Sequence, residues 1–227
     1  MDGKLMTRLS TAFPASTDAE TIRAISEGIF LADDLIAHTP LLKTVVGSDL
    51  RGHIRRAGIM FRFHGLCQRG DLPYEAEMVK MPYGNWHWLE IRSGQFKAHI
   101  CRTVGIDEFP VDALSRQDAR LVNQRNLFTD NTLSLDEIAG RLRDLYVWLT
   151  FGVSRKGELE HLCWAMPPAD GDDYLALIDV LKRQSGRELP PPGPSPTEPP
   201  NPLIKLRFKD HIEEQILEEN KKEDKKN

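Results

Sequence analysis

Between Glu75 and Arg102 the chain adopts a two-residue period, and this run limits its possible folds more than any other feature. Glu75–Met81 alternates, Pro82-Tyr83-Gly84-Asn85 turns, and Trp86–Arg92 alternates again. Ser93-Gly94 then leads into Gln95–Arg102. Side chains along a strand point to opposite faces in turn, so three such runs joined by turn residues read as an antiparallel meander. With Ser93-Gly94 as a two-residue turn, Ile91 faces Phe96, Glu90 faces Lys97 and Trp88 faces His99. One face then carries His87, Leu89, Ile91, Phe96, Ala98 and Ile100, which is core material. The other carries Trp86, Trp88, Glu90, Arg92, Lys97, His99 and Cys101, a mixture of aromatic and polar groups.

The flanking segments have helical spacing instead. Thr17-Asp18-Ala19-Glu20 opens a helix bearing Ile22, Ile25, Ile29, Leu31 and Leu35, which Pro40 ends. Ser48 is placed to cap a second helix reaching Cys67, with Leu50, Ile54, Ile59, Met60 and Phe63 on one side. Residues 112–128 read as a third. Ser134 with Glu137 forms a capping box for a fourth, carrying Ile138, Leu142, Leu145 and Leu149 and stopped by Gly152 or Gly157. Residues 170–183 read as a fifth, and Leu159–Met166 as a further strand. The expected class is α+β: a small antiparallel sheet (strands near 75–81, 86–92, 96–102 and 158–166) packed with about five helices.

The composition changes beyond Arg187. Eight of the 15 prolines lie between Pro190 and Pro202, a stretch that favours extended chain. Fourteen residues of it, 189–202, span up to about 40 Å. Up to Glu188 the chain has 6 Lys and 17 Arg; from Leu203 it has 6 Lys and 1 Arg. The organisation read from this is a globular domain over 1–188, a Pro-rich linker over 189–202, and a tethered segment over 203–227. In that last segment Ile204, Leu206 and Phe208 alternate with basic residues. Ile212, Ile216 and Leu217 then make a narrow helical stripe. A lone six-residue strand has no partner for its backbone groups, and a helix this short is marginal in water. Order in 203–227 therefore requires a surface to dock on. A protein partner, captured by strand addition and helix-in-groove packing, fits those six residues.

Bulk numbers exclude some classes. At 227 residues with net charge −4, the chain is neither a basic nucleic-acid coat nor a polybasic membrane anchor. No apolar run approaches the roughly 18 residues of a membrane span. Three cysteines, Cys67, Cys101 and Cys163, make no disulfide framework, which points to a reducing, cytoplasmic compartment.

Three constellations could carry chemistry. Glu75, Glu77 and Glu90 fall on neighbouring predicted strands. Glu90-Ile91-Arg92 has the spacing of a nuclease E-x-K pair with arginine in place of lysine, so a divalent-metal nuclease is one reading. Arginine can clamp phosphate but is a poor general base. Arg51, Arg55, Arg56 and Arg62, with Trp86 and Trp88, offer a basic-aromatic surface for nucleic acid. His99-Ile100-Cys101 and His161-Leu162-Cys163 would give a Cys₂His₂ zinc set if their strands are neighbours. No motif calls for a cofactor: there is no phosphate-binding glycine loop, no G-x-S-x-G and no HExxH. The favoured expectation is a non-enzymatic binding or regulatory protein that acts through 203–227. By architecture it suits an antitoxin or an accessory protein of a bacterial defence or mobile-element system.

Overall fold

The computed structural model describes residues 3–81, 85–111, 113–123, 145–154 and 157–186. All of them lie within the compact unit Met1–Glu188. The linker, the 203–227 segment with Ile204, Leu206, Phe208, Ile212, Ile216 and Leu217, and the capping box at Ser134 fall outside the described residues.

The class is α+β, as the patterning implies, but the sheet has six strands and is mixed. In chain order the elements are α1 (Gly3–Ala12), α2 (Asp18–His38), α3 (Val45–Gln68), β1 (Glu75–Lys80), β2 (His87–Ser93), β3 (Phe96–Arg102), α4 (Leu114–Arg120), β4 (Leu145–Val153), β5 (Leu159–Met166), β6 (Ala176–Asp179) and α5 (Val180–Ser185). Strands lie side by side in sequence order, and every pairing is antiparallel except β3 with β4.

Four local expectations change. The helix expected to carry Leu145 and Leu149 is instead strand β4, all nine residues of which are buried. A continuous apolar run buried on both faces has no two-residue alternation to betray it, and helical spacing fits it by accident. Ala176–Asp179, expected within a helix, is strand β6, and the helix begins only after Asp179, whose side chain accepts from Lys182 N at 2.9 Å. Helix α3 starts a turn early, capped by Thr44 Oγ1 accepting from Gly47 N at 3.1 Å rather than by Ser48. The hairpin turn is Gly94-Gln95, because Gly94 takes a φ of 57°, which the first central residue of a tight hairpin turn requires. The pairs become Ile91 with Ala98, Arg92 with Lys97 and Glu90 with His99.

The register change moves each partner by two residues, so both faces keep the membership read from the sequence. Leu89, Ile91, Phe96, Ala98, Val147, Leu149, Leu162 and Trp164 join Leu9, Phe13, Ile25, Ile59, Phe63 and Leu66 of the helical layer in one core. Trp164 stacks on Phe13 with ring centroids 3.8 Å apart. Asp18, fully buried, is held bidentate by Arg183 at 2.7 and 2.5 Å, which ties α5 to the start of α2. On the opposite face Cys101, Tyr146 and Trp148 pack under Phe109, Ala119 and Tyr174, so the segment after β3, with Tyr174 from the β5–β6 connection, forms a third layer.

Helices α2 and α3 cross at Gly28 and Gly58. A Cβ at Gly28 would stand 2.4 Å from Ile59 Cα, and one at Gly58 would stand 2.4 Å from Gly28 O. Both obstacles are backbone, so neither can rotate away. Gly28→Ala is therefore expected to lower stability by at least about 2 kcal/mol through forced separation of the helices. Urea unfolding of the two proteins measures it directly.

Candidate functional site

On the second face, pairing across β2 and β3 sets Glu90 beside Lys97 and His99. Glu90 is buried, and its Oε1 accepts from Arg92 (Nη2 at 2.6 Å, Nε at 2.9 Å) while Lys97 Nζ lies 3.1 Å from Oε2. His99 Nε2 lies 3.8 Å from the same Oε2, too long for a hydrogen bond. Proximity of His99 first, then the Lys97 and Arg92 contacts, hold the Glu90 carboxyl well below its usual range, to about 2, against the upward push of burial. Lys97 and Arg92 are the cations in direct contact with the carboxylate.

His99 is buried between Trp88, whose ring lies 3.8 Å away, and Tyr146, whose hydroxyl is 2.8 Å from Nδ1. Burial lowers the His99 pKa, with the Glu90 carboxylate opposing, so the ring is held neutral. Nδ1 and the Tyr146 hydroxyl share one hydrogen bond, whose direction follows the ring tautomer. Tyr146 in turn is anchored by Asn123. The Asn123 amide donates to Tyr146 O and Pro167 O at 2.7 and 2.8 Å, and its Oδ1 accepts from Tyr146 N at 2.9 Å. Neither Tyr146 nor Asn123 stood out in the sequence. Their signal is a buried polar residue beside an apolar strand, and that is visible only once the strand is known.

The acidic constellation does come together in part. Glu77 pairs with Glu90 and Glu75 with Arg92, lining a cleft of about 450 Å³ with Gln68 and Tyr74. Yet both Glu90 oxygens are occupied by cations. Among the described residues no group of three or more His, Cys, Asp or Glu is placed to hold a metal. The nuclease reading thus loses its central ligand and retains exposed Glu75 and Glu77.

The zinc set fails on topology, because β4 lies between β3 and β5. Cys101 pairs with Thr150, which pairs with Cys163, leaving the two His-Cys pairs separated by a full strand. His161 instead lies over Gly152, with Nε2 2.7 Å from Thr103 Oγ1. Gly152 is thus a strand residue making room for a ring, not a helix stop. Burial lowers the His161 pKa and raises the Cys101 and Cys163 thiols to about 11 and about 12, so these cysteines are inert core groups.

The basic-aromatic surface is divided. Arg55 is bidentate to Asp33, with both contacts at 2.8 Å, and Arg62 pairs with Glu27. Arg51 is exposed. Trp88 is committed to His99, whereas Trp86, 59% exposed, stacks on His53 of α3. Arg56 donates to His87 O at 3.1 Å. It also borders a cavity that Arg102 and His53, both absent from the expected set, help to line. Comparison with protein-family models, with curated proteins and with solved structures found no match.

The shifts fix the sign of a pH dependence. His99 and His161 have folded pKa values below the ordinary 6.5, so the unfolded chain binds more protons and stability falls as pH drops below 6.5. Glu90 contributes fully above the ordinary 4.5 and loses its contribution as pH falls toward about 2. Glu90→Gln is expected to cost roughly 2 kcal/mol at pH 7, less than the full shift because Arg92 is 43% exposed, and to flatten the acid limb below pH 4.5. Urea midpoints of both proteins from pH 2.5 to 8 check the two limbs.

Proposed function

We propose that this is a non-enzymatic binding protein that captures a protein partner. The observation carrying this reading is the far end of the α2–α3 hairpin. Leu35, Leu41, Val45, Val46 and Leu50 lie there within the last turn of α2, the connecting turn and the first turns of α3. Leu41, Val45 and Val46 are 68, 84 and 71% exposed. Single exposed apolar residues are ordinary, but several large ones at one end of a helical hairpin mark an interaction surface.

Two further points support binding over catalysis. The acid best placed for metal or proton chemistry, Glu90, is neutralised by Arg92 and Lys97. Arg55 and Arg62, expected to meet phosphates, are each matched to a carboxylate, which weakens the nucleic-acid reading. Segment 203–227 is proposed as a second contact, through Ile204, Leu206, Phe208, Ile212, Ile216 and Leu217, on its strand and stripe patterns alone. A regulatory or accessory role in a bacterial defence or mobile-element system suits a body and tethered segment that share one target. Among the described residues no helix is long and apolar enough to cross a membrane.

The test is co-purification from the native host, followed by reassembly from purified components. Val46→Glu and deletion of 203–227 are each expected to weaken the reassembled complex by about tenfold or more while leaving the melting temperature of the body unchanged. A complex dissolved by nuclease and by moderate salt would favour the nucleic-acid reading instead.

A further inference from the structure

Helix α3 presents one continuous stripe to the sheet, and its chemistry changes halfway along. Ile59, Phe63 and Leu66, at three- and four-residue spacing, are fully buried core residues. Continued toward the N-terminus at the same spacing, the stripe reads Arg56, His53, Gly52 and Asp49. The sheet beneath does not change in step: Ile100, Phe151 and Val153 present an apolar floor. Between the polar stripe and this floor lies a cavity of about 280 Å³. Packing alone would have continued the apolar stripe and closed it.

The cavity opens at the carboxyl ends of β3 and β4, the one parallel pair among the described residues, where Arg102 pairs with Phe151. Strand ends of this kind are where open sheets leave crevices for ligands. The polar groups around it are Asp49, His53, Arg55, Arg56 and Arg102. Arg55 is neutralised by Asp33. Arg56 is half-buried and spends one donor on the His87 carbonyl and a long contact on Met81 sulfur, neither of them anionic. Two guanidinium groups thus face an apolar floor, with one carboxylate a helical turn or two away.

We propose that this cavity binds a small organic phosphate of nucleoside-monophosphate size. Arg56 and Arg102 take the phosphoryl oxygens, since planar guanidinium groups match phosphate oxygens two at a time. Ile100, Phe151 and Val153 take the flat ring. Asp49 accepts from a ribose hydroxyl or an exocyclic amino group, which an unsubstituted acyl or aryl phosphate would not supply. The proposal is independent of the protein-capture reading, which rests on the 203–227 segment and on the exposed apolar residues Leu35, Leu41, Val45, Val46 and Leu50, none of which lines the cavity.

The experiment is isothermal titration of the full chain with AMP, GMP, CMP, UMP, adenosine and inorganic phosphate at low salt. At least one mononucleotide is expected to bind saturably at one site, about tenfold or more tighter than adenosine or phosphate alone. Arg102→Glu, at an exposed position, reverses one of the two charges. Gly52→Leu fills open space, because a Cβ there meets nothing within 4 Å. Both are expected to reduce affinity about tenfold or more without lowering the melting temperature, and Arg51→Glu, whose side chain does not line the cavity, is expected to leave it unchanged. Absence of saturable binding by all four mononucleotides overturns the proposal, as does binding that survives both cavity variants. Binding of a single-stranded oligonucleotide with no mononucleotide binding also overturns it, in favour of a polymer-binding groove.

Discussion

A strand buried along its whole length must be covered on both faces, and β4 imposes that requirement on the rest of the molecule. Its nine residues run parallel to β3, so the chain leaves the sheet after Arg102, crosses one face and re-enters at Leu145. Parallel neighbours need such a crossover, whereas the antiparallel meander before it needs only turns. The helical layer covers Val147, Leu149 and Phe151. The segment holding Phe109 and α4 covers Tyr146 and Trp148. A face that a simple meander would have left to solvent thereby becomes an interior.

Burial of that second face explains its polar chemistry. Once the crossover lies over it, a carboxylate or imidazole there must find partners within the protein or carry the cost of lost hydration. Glu90 finds Arg92 and Lys97, His99 finds Tyr146, His161 finds Thr103, and Asn123 satisfies three backbone groups at once. These contacts account for the residues that looked most like reactive groups. A histidine and a cysteine two positions apart on a strand suggest metal binding. In a sheet three layers deep they are filling and satisfied polar groups.

The limits of sequence reading follow the same geometry. Which residues of the hairpin shared a face was legible despite the misplaced turn, because alternation survives any register change that moves the partner by two residues. Helix α2 was legible from its spacing and its acidic first turn. Helix α1 was not, since its ten residues carry a narrow stripe of Leu5 and Leu9 amid polar neighbours. Strands β4 and β6 were lost because each combines apolar residues at spacings a helix would also produce. The zinc expectation failed for a topological reason that no local pattern reveals: the two His-Cys strands have β4 between them. Of the candidate site, Glu75, Glu77, Glu90 and Arg92 do lie on paired strands. That Glu90 would be neutralised depends on side-chain placement, which spacing does not specify.

Helix α3 carries four internal glycines or near-terminal ones whose costs differ in kind. A glycine inside a helix costs about 1 kcal/mol relative to alanine. Gly47 offsets that by close approach to Leu41 O and Leu42 Cα, each 2.5 Å from where a Cβ would sit, and Gly58 by the crossing with Gly28. Gly52 has no such neighbour, so packing does not demand it. It falls on the same stripe as His53 and Arg56, opposite Ile100 and Phe151, where a larger apolar side chain would extend the core and stabilise the fold. The chain thus forgoes stability twice at one place, once in helix propensity and once in unfilled apolar surface. Natural sequences keep such losses chiefly where a site must stay open. The loss is confined to α3 residues that face the parallel β3–β4 pair, so the helix propensity and the sheet topology single out the same cavity by separate routes.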